Sequence, residues 1–98
     1  MNASNVFSRV SWLRPVDIAI LEVVGPPLRL ELNRGAIARN IDYSPDYVGK
    51  RADLLVSCGL LHIDEDGGPF YSISDTGEKV LDRDISPDDL EALGPDRQ

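Results

Sequence analysis

The spacing of apolar residues along this chain alternates between helical and strand periods, and each switch marks an element. Residues 1–11 (MNASNVFSRVS) show scattered apolar positions with no period, as expected of a frayed end or an arm that contacts a partner. Arg14-Pro15 then opens a helix with proline at its first position. Val16, Ile20, Val23 and Val24, with Ala19 and Leu21, form its broad apolar face, and Gly25 and Pro26-Pro27 end it. In LRLEL (Leu28–Leu32) the period drops to two, predicting a half-buried strand with the three leucines inward. Asn33 is a good N-cap for a short helix, Arg34–Asn40, that buries Ile37, Ala38 and Ile41. After a turn at Asp42-Tyr43, Ser44, Pro45 and Asp46 supply the cap, first position and dipole-matching charge of a second helix. That helix buries Val48, Ala52 and Leu55 and stops at Gly59.

Two short strand-like runs follow, Leu60–Asp64 and Phe70–Ile73, around the Gly-rich turn EDGGP. Leu61, Ile63, Tyr71 and Ile73 would share their buried face. Asp75, with Glu78 three residues on, reads as a capping box for a helix that packs Val80 and Leu81 inward, with Ile85 after it. SPDDLEAL (Ser86–Leu93) repeats the Ser-Pro-Asp start and predicts a short acidic helix.

The predicted order is helix, strand, helix, helix, hairpin, helix. Two helices joined by a tight turn read as a helix-turn-helix, and a hairpin directly after the second reads as a wing. Ala38 is small enough to let the two helices approach, and Gly59-Leu60-Leu61 swings the chain into the hairpin. The fold class expected is therefore α+β, a winged helix-turn-helix. Residues 12–85 form its domain, 1–11 an N-terminal arm, and 86–98 an acidic C-terminal helix and tail.

Charge complicates a nucleic-acid reading. The 98 residues carry a net charge of −7, and acidic surfaces repel phosphate. Aspartate outnumbers glutamate 12 to 5, and arginine outnumbers lysine 8 to 2. Such a composition fits a protein of an extreme halophile, where surface acidity maintains solubility; the alternative is an acidic mesophilic domain. The acid is unevenly placed. Residues 33–59 hold four bases against three acids, whereas 84–98 hold five acids against one base. Any DNA-facing element is expected in the middle of the chain.

Other chemistry finds little support. No run of about 18 apolar residues predicts a membrane span, and no basic-then-apolar start predicts a signal peptide. The single cysteine, Cys58, fits a reducing cytoplasm. Cys58 and His62 are too few for a zinc site, and Asp64-Glu65-Asp66-Gly67-Gly68 lacks the distal glutamate of a calcium loop. No nucleophile-base-acid set and no phosphate-binding glycine loop occur, so an enzyme, a cofactor and a small-molecule ligand are not expected. Trp12 is expected to cover the core beside the first helix, with an interface role as the alternative.

Residues 37–82 and the region before them resemble the winged-helix proteins of haloarchaea related to the phi-H phage repressor. The matching positions are Trp12, Pro15, Asp17, Ile20 and Leu21, then Tyr47-Val48, Arg51, Leu55, Gly59-Leu60-Leu61, Tyr71, Ile73, Asp75 and Gly77. The resemblance spans about residues 12–85 and implies a small, dimeric, DNA-binding transcriptional regulator from a halophilic source. Two departures stand out: the acidic wing tip, where many relatives are basic or neutral, and Gly49, where a polar contact residue is common.

In such a domain the second helix enters the major groove with its N-terminal end leading. Ser44, Asp46, Tyr47, Lys50 and Asp53 would then face base edges or phosphates. Lys50 could donate to guanine and an aspartate could accept from cytosine. Arg34, Arg39 and Arg51 would hold phosphates and set the register. Each has a plainer alternative: Asp46 as a cap, Arg51 paired with Asp53 or Asp42, Tyr47 at the core edge. One such helix reads only a few base pairs, which predicts a homodimer on a two-fold site. Its interface is expected around Val6, Phe7, Trp12 and the helix near Leu90. The functional expectation is a sequence-specific repressor. The rival classes are a winged helix that binds a basic protein and no DNA, and an accessory protein of a virus or mobile element.

Overall fold

The computed structural model describes residues 7–95. Five helices and one hairpin follow in the order α1 (Pro15–Val24), α2 (Arg34–Arg39), α3 (Pro45–Ser57), β1 (Leu61–Asp64), β2 (Phe70–Ile73), α4 (Asp75–Leu81) and α5 (Pro87–Ala92). Proline occupies the first turn of α1, α3 and α5, where its missing N–H costs no helical bond. Side-chain oxygens of Asn33, Ser44 and Ser86 accept from backbone N–H groups three residues on and cap α2, α3 and α5.

The core is built around α1, which packs against α2, α3, α4 and β2. Ile20, Leu21, Val24, Ile37, Val48, Ala52, Leu55 and Leu60 are fully buried in it. The core runs past both ends of the 12–85 stretch: Phe7 and Val10 from the N-terminal segment and Leu90 from α5 belong to it. The indole Nε1 of Trp12 donates to the Leu90 carbonyl at 3.1 Å, and the Ser11 backbone and hydroxyl both donate to Glu91. The two terminal segments therefore close on each other within one chain. Phe7, Trp12 and Leu90, expected at a dimer interface, are buried inside the protomer; Val6 lies outside the described residues.

Strands β1 and β2 pair antiparallel with Leu61 opposite Ile73 and Ile63 opposite Tyr71. The strand expected at Leu28–Leu32 does not form. Only Leu32 reaches the sheet, in an isolated bridge to Tyr71 made by reciprocal backbone bonds of 3.0 and 2.8 Å. Upstream, Arg29 adopts a left-handed φ of +50° and its N–H turns back to the Gly25 carbonyl, which breaks the alternation. Leu28 is consequently 72% exposed. The Arg29 guanidinium forks onto Glu78 of α4 at 2.9 and 3.1 Å. That contact raises the Arg29 pKa and lowers that of Glu78.

A second correction concerns α4. Its cap is Ser74, not Asp75: the buried hydroxyl accepts from the Gly77 N–H and donates to the Gly59 carbonyl. Glu78 is engaged by Arg29 instead of closing a capping box. Gly77 is required by a close approach, since a Cβ there would stand 2.3 Å from the Leu60 carbonyl oxygen. Among the described residues no helix is long and apolar enough to cross a membrane.

Candidate nucleic-acid interface

Helix α3 has two faces because its apolar residues recur at three- and four-residue steps. Val48, Gly49, Ala52 and Leu55 are buried against α1 and α2, while Asp46, Tyr47, Lys50, Asp53 and Ser57 are exposed. The exposed set begins in the first turn, where the Ser44 hydroxyl accepts from the Tyr47 N–H at 3.2 Å. Tyr47 projects beside Tyr43 of the preceding turn, their ring centroids 5.8 Å apart and tilted by 47°. Both rings are more than one-third exposed, an apolar and polar surface held without being buried.

Arg34 comes from the first turn of α2 yet lies across α3. A Cβ added at Gly49 would fall 2.7 Å from Arg34 Cδ and 3.0 Å from Nη1, so the arginine occupies the space a residue-49 side chain would need. Its Nη1 stands 4.0 Å from Asp46 Oδ1, and both side chains are mostly exposed. Arg39 sits on the other side of the turn, at a shallow surface depression shared with Asn33, Tyr43 and Pro45. Arg34, Asp46, Tyr47 and Lys50 are thus brought together on one surface, with Ser44 at its edge and Arg39 flanking it.

Arg51 points away from that surface. Its Nε and Nη2 donate to the two carboxylate oxygens of Asp17 at 2.9 and 2.7 Å, and Nη2 also donates to the Trp12 carbonyl at 2.8 Å. Asp17 is fully buried and accepts in addition from the Arg14 N–H at 2.8 Å. Hydrogen bonding to Asp17 raises the Arg51 pKa further, against the opposing effect of burial. The partner is neither Asp53 nor Asp42. With Nε and Nη2 committed to the α1–α3 joint, Arg51 holds the helix that carries the exposed face and is turned away from the surface where Arg34 and Asp46 lie. Asp17 carries no site role in the sequence pattern, although a carboxylate within an apolar helix must find a partner when buried.

The hairpin is braced against α3 by Tyr71, whose hydroxyl donates to the Asp53 carboxylate. Burial, followed by that hydrogen bond, pushes the Tyr71 phenol up to about 12. Asp53 is therefore held by the wing. The tip carries Asp64, Glu65 and Asp66, all exposed, with the Asp64 carboxylate accepting from the Asp66 N–H. Such a tip repels phosphate. Elsewhere Cys58 is buried, which raises its thiol pKa, and His62 points outward from β1.

Chemically, the exposed surface offers balanced donors and acceptors, Arg34 and Lys50 against Asp46 and Asp53, with a tyrosine hydroxyl and ring among them. It suits directional hydrogen bonding better than bulk attraction to a polyanion. A closely crossed helix pair, an outward second helix and a hairpin braced on that helix together define a winged helix-turn-helix domain, an architecture suited to insertion in the major groove. Residues 6–93 match the winged helix-turn-helix phage repressor family, and the chain belongs to that family. It is 44% identical over 84 residues to the "Repressor protein" of Halobacterium phage phiH, a match covering 85% of this chain and 94% of the relative. No solved structure gives a significant match.

Proposed function

We propose that this chain is a transcriptional repressor that binds a specific double-stranded DNA sequence as a homodimer in concentrated salt. The observation that carries this reading is the outward face of the N-terminal half of α3. Asp46, Tyr47 and Lys50 are exposed there in the first two turns, while Val48, Gly49, Ala52 and Leu55 turn to the core. In a groove, Lys50 would donate to guanine, Asp46 would accept from cytosine or orient a donor, and Tyr47 would contact a base edge or the backbone. Arg39 and the Ser44 end of the helix lie where phosphates would flank the groove.

Low basicity supports the halophilic part of the proposal. Affinity gained from counterion release falls linearly with the logarithm of salt, by about 0.9 for each phosphate neutralised, so it contributes little at molar concentration. A regulator working there must rely on hydrogen bonds and shape, which a balanced surface supplies. The Asp-rich, Lys-poor composition and the relative from a Halobacterium phage agree with such a setting. Dimerisation follows from reach. The exposed part of α3 spans less than one turn of DNA groove, and a two-fold pair doubles the sequence read. Since Phe7, Trp12 and Leu90 are internal, the interface would use the outer surfaces of the terminal segments and not those side chains.

Selection of binding sites from a random duplex pool in about 2 M KCl tests the proposal. A two-fold symmetric consensus is expected. A second reading, a winged helix that binds a basic protein and leaves DNA alone, draws on the acidic wing tip of Asp64, Glu65 and Asp66. It predicts no enrichment of any sequence.

A further inference from the structure

We propose that Arg34, a residue of α2, is the principal specificity-determining residue of the α3 surface and reads a guanine through the notch at Gly49. This rests on the DNA-binding reading above and gives Arg34 a role distinct from a phosphate contact.

Three observations converge on it. Gly49 removes the one side chain of α3 that would obstruct Arg34, whose Cδ would otherwise stand 2.7 Å from the new Cβ. Asp46, one turn earlier on α3, places a carboxylate oxygen 4.0 Å from Arg34 Nη1. Of the other two arginines of this region, Arg51 is committed to Asp17 and Trp12, and Arg39 borders the depression beside Tyr43 and Pro45. Arg34 is thus the guanidinium that α3 presents at its leading end, even though α3 does not encode it.

The chemistry of the two possible targets separates them. A phosphate accepts a positive charge from a wide range of directions, so lysine can also hold it, as a point charge and not as a fork. Guanine presents O6 and N7 side by side, and the matching donor is a planar fork held in one plane. An aspartate beside the fork opposes phosphate binding, and at 4.0 Å from Nη1 Asp46 attracts the guanidinium by charge without a hydrogen bond. The Gly49 notch seats the Arg34 stem, and Asp46 draws its head toward the start of α3. In molar salt the directional contact also retains its value when a point-charge contact does not.

The test uses the full chain, the duplex selected in KCl, and a panel of that duplex carrying single base-pair replacements. Arg34→Lys keeps the charge and removes the fork. It is expected to lose discrimination at one G·C pair per half-site by about tenfold to a hundredfold, while the slope of affinity against salt stays unchanged. Gly49→Ala is expected to melt at or above the wild-type temperature, since alanine is the better helix former, yet to lose the same guanine preference because Arg34 is displaced. Retention of the preference by Arg34→Lys overturns the inference. So does an Arg34→Ala variant that weakens all sequences alike and lowers the salt slope by about one. A wild-type chain that binds no DNA would overturn the regulator reading itself, and the inference with it.

Discussion

Arg51 and Asp17, 34 residues apart in sequence, meet in a two-pronged salt bridge whose carboxylate is fully buried. The pair joins the start of α1 to the middle of α3, and the Trp12 carbonyl and Arg14 N–H complete its hydrogen bonding. Removing one partner leaves the other charged in a site it cannot escape. Asp17→Ala or Arg51→Ala should therefore cost about 3–5 kcal/mol of folding stability. The double replacement Asp17→Leu with Arg51→Met should recover much of that loss. Urea unfolding in high KCl measures all three; a double variant as unstable as the sum of the singles would refute the assignment.

The same contact separates a joint from a phosphate grip. Because the Arg51 fork is occupied, a folded Arg51→Met variant in the Asp17→Leu background should bind DNA with an unchanged salt dependence. A slope shallower by about one would mean that Arg51 does neutralise a phosphate.

Tyr71 gives the wing a titratable brace. Its phenol, pushed up to about 12 by burial and by the Asp53 carboxylate, ionises near 10 in an unfolded chain. The folded state therefore favours the protonated form. The stability it contributes is fully present below pH 10 and is lost as pH rises toward 12. Wild-type protein should exceed Tyr71→Phe in stability at pH 9, and the difference should shrink between pH 10 and 12. Denaturant midpoints across that range check the sign, and a constant difference would contradict it.

Leu90 tests whether α5 belongs to the domain. It is fully buried, and its carbonyl receives the Trp12 indole N–H. Leu90→Ala should cost about 2–5 kcal/mol and shift the Trp12 fluorescence to longer wavelength as water reaches the ring. By contrast, Asp88→Asn and Asp89→Asn alter exposed side chains and should leave both unchanged. An Ala variant with wild-type stability would make α5 an appendage.

The helices were legible because their signals are local. Ser44-Pro45-Asp46 and Ser86-Pro87-Asp88 announce helix starts by cap chemistry, and the period of Val48, Ala52 and Leu55 shows which side of α3 is buried. The LRLEL alternation misled for the same reason. Five residues of period two carry no information on the left-handed turn at Arg29 or its tether to Glu78. Ser74 and Asp75 are both good caps, and the choice between them depends on the distant Gly59 carbonyl that only Ser74 can reach. At the candidate site, the sequence could identify the polar residues of α3 but not their directions. Arg51 and Lys50 are neighbours, yet one turns to Asp17 and the other to solvent, since successive helix positions differ by about 100°. Gly49 read as a missing contact; in space it is the opening through which Arg34 lies. The motif positions Trp12, Asp17 and Arg51 were visible as a scattered set, and their meeting in one hydrogen-bonded joint required the fold.

DNA reading by the exposed start of α3 underlies the proposed function. Its most direct test is fluorescence anisotropy in about 2 M KCl with the selected duplex and a scrambled control, comparing wild type with Tyr47→Ala plus Lys50→Ala. Both side chains are exposed, so the melting temperature should hold. At least a tenfold loss of affinity for the selected duplex, and little change for the control, is expected from contacts of about 1–3 kcal/mol each. Equal affinity of the two proteins for the selected duplex would contradict it.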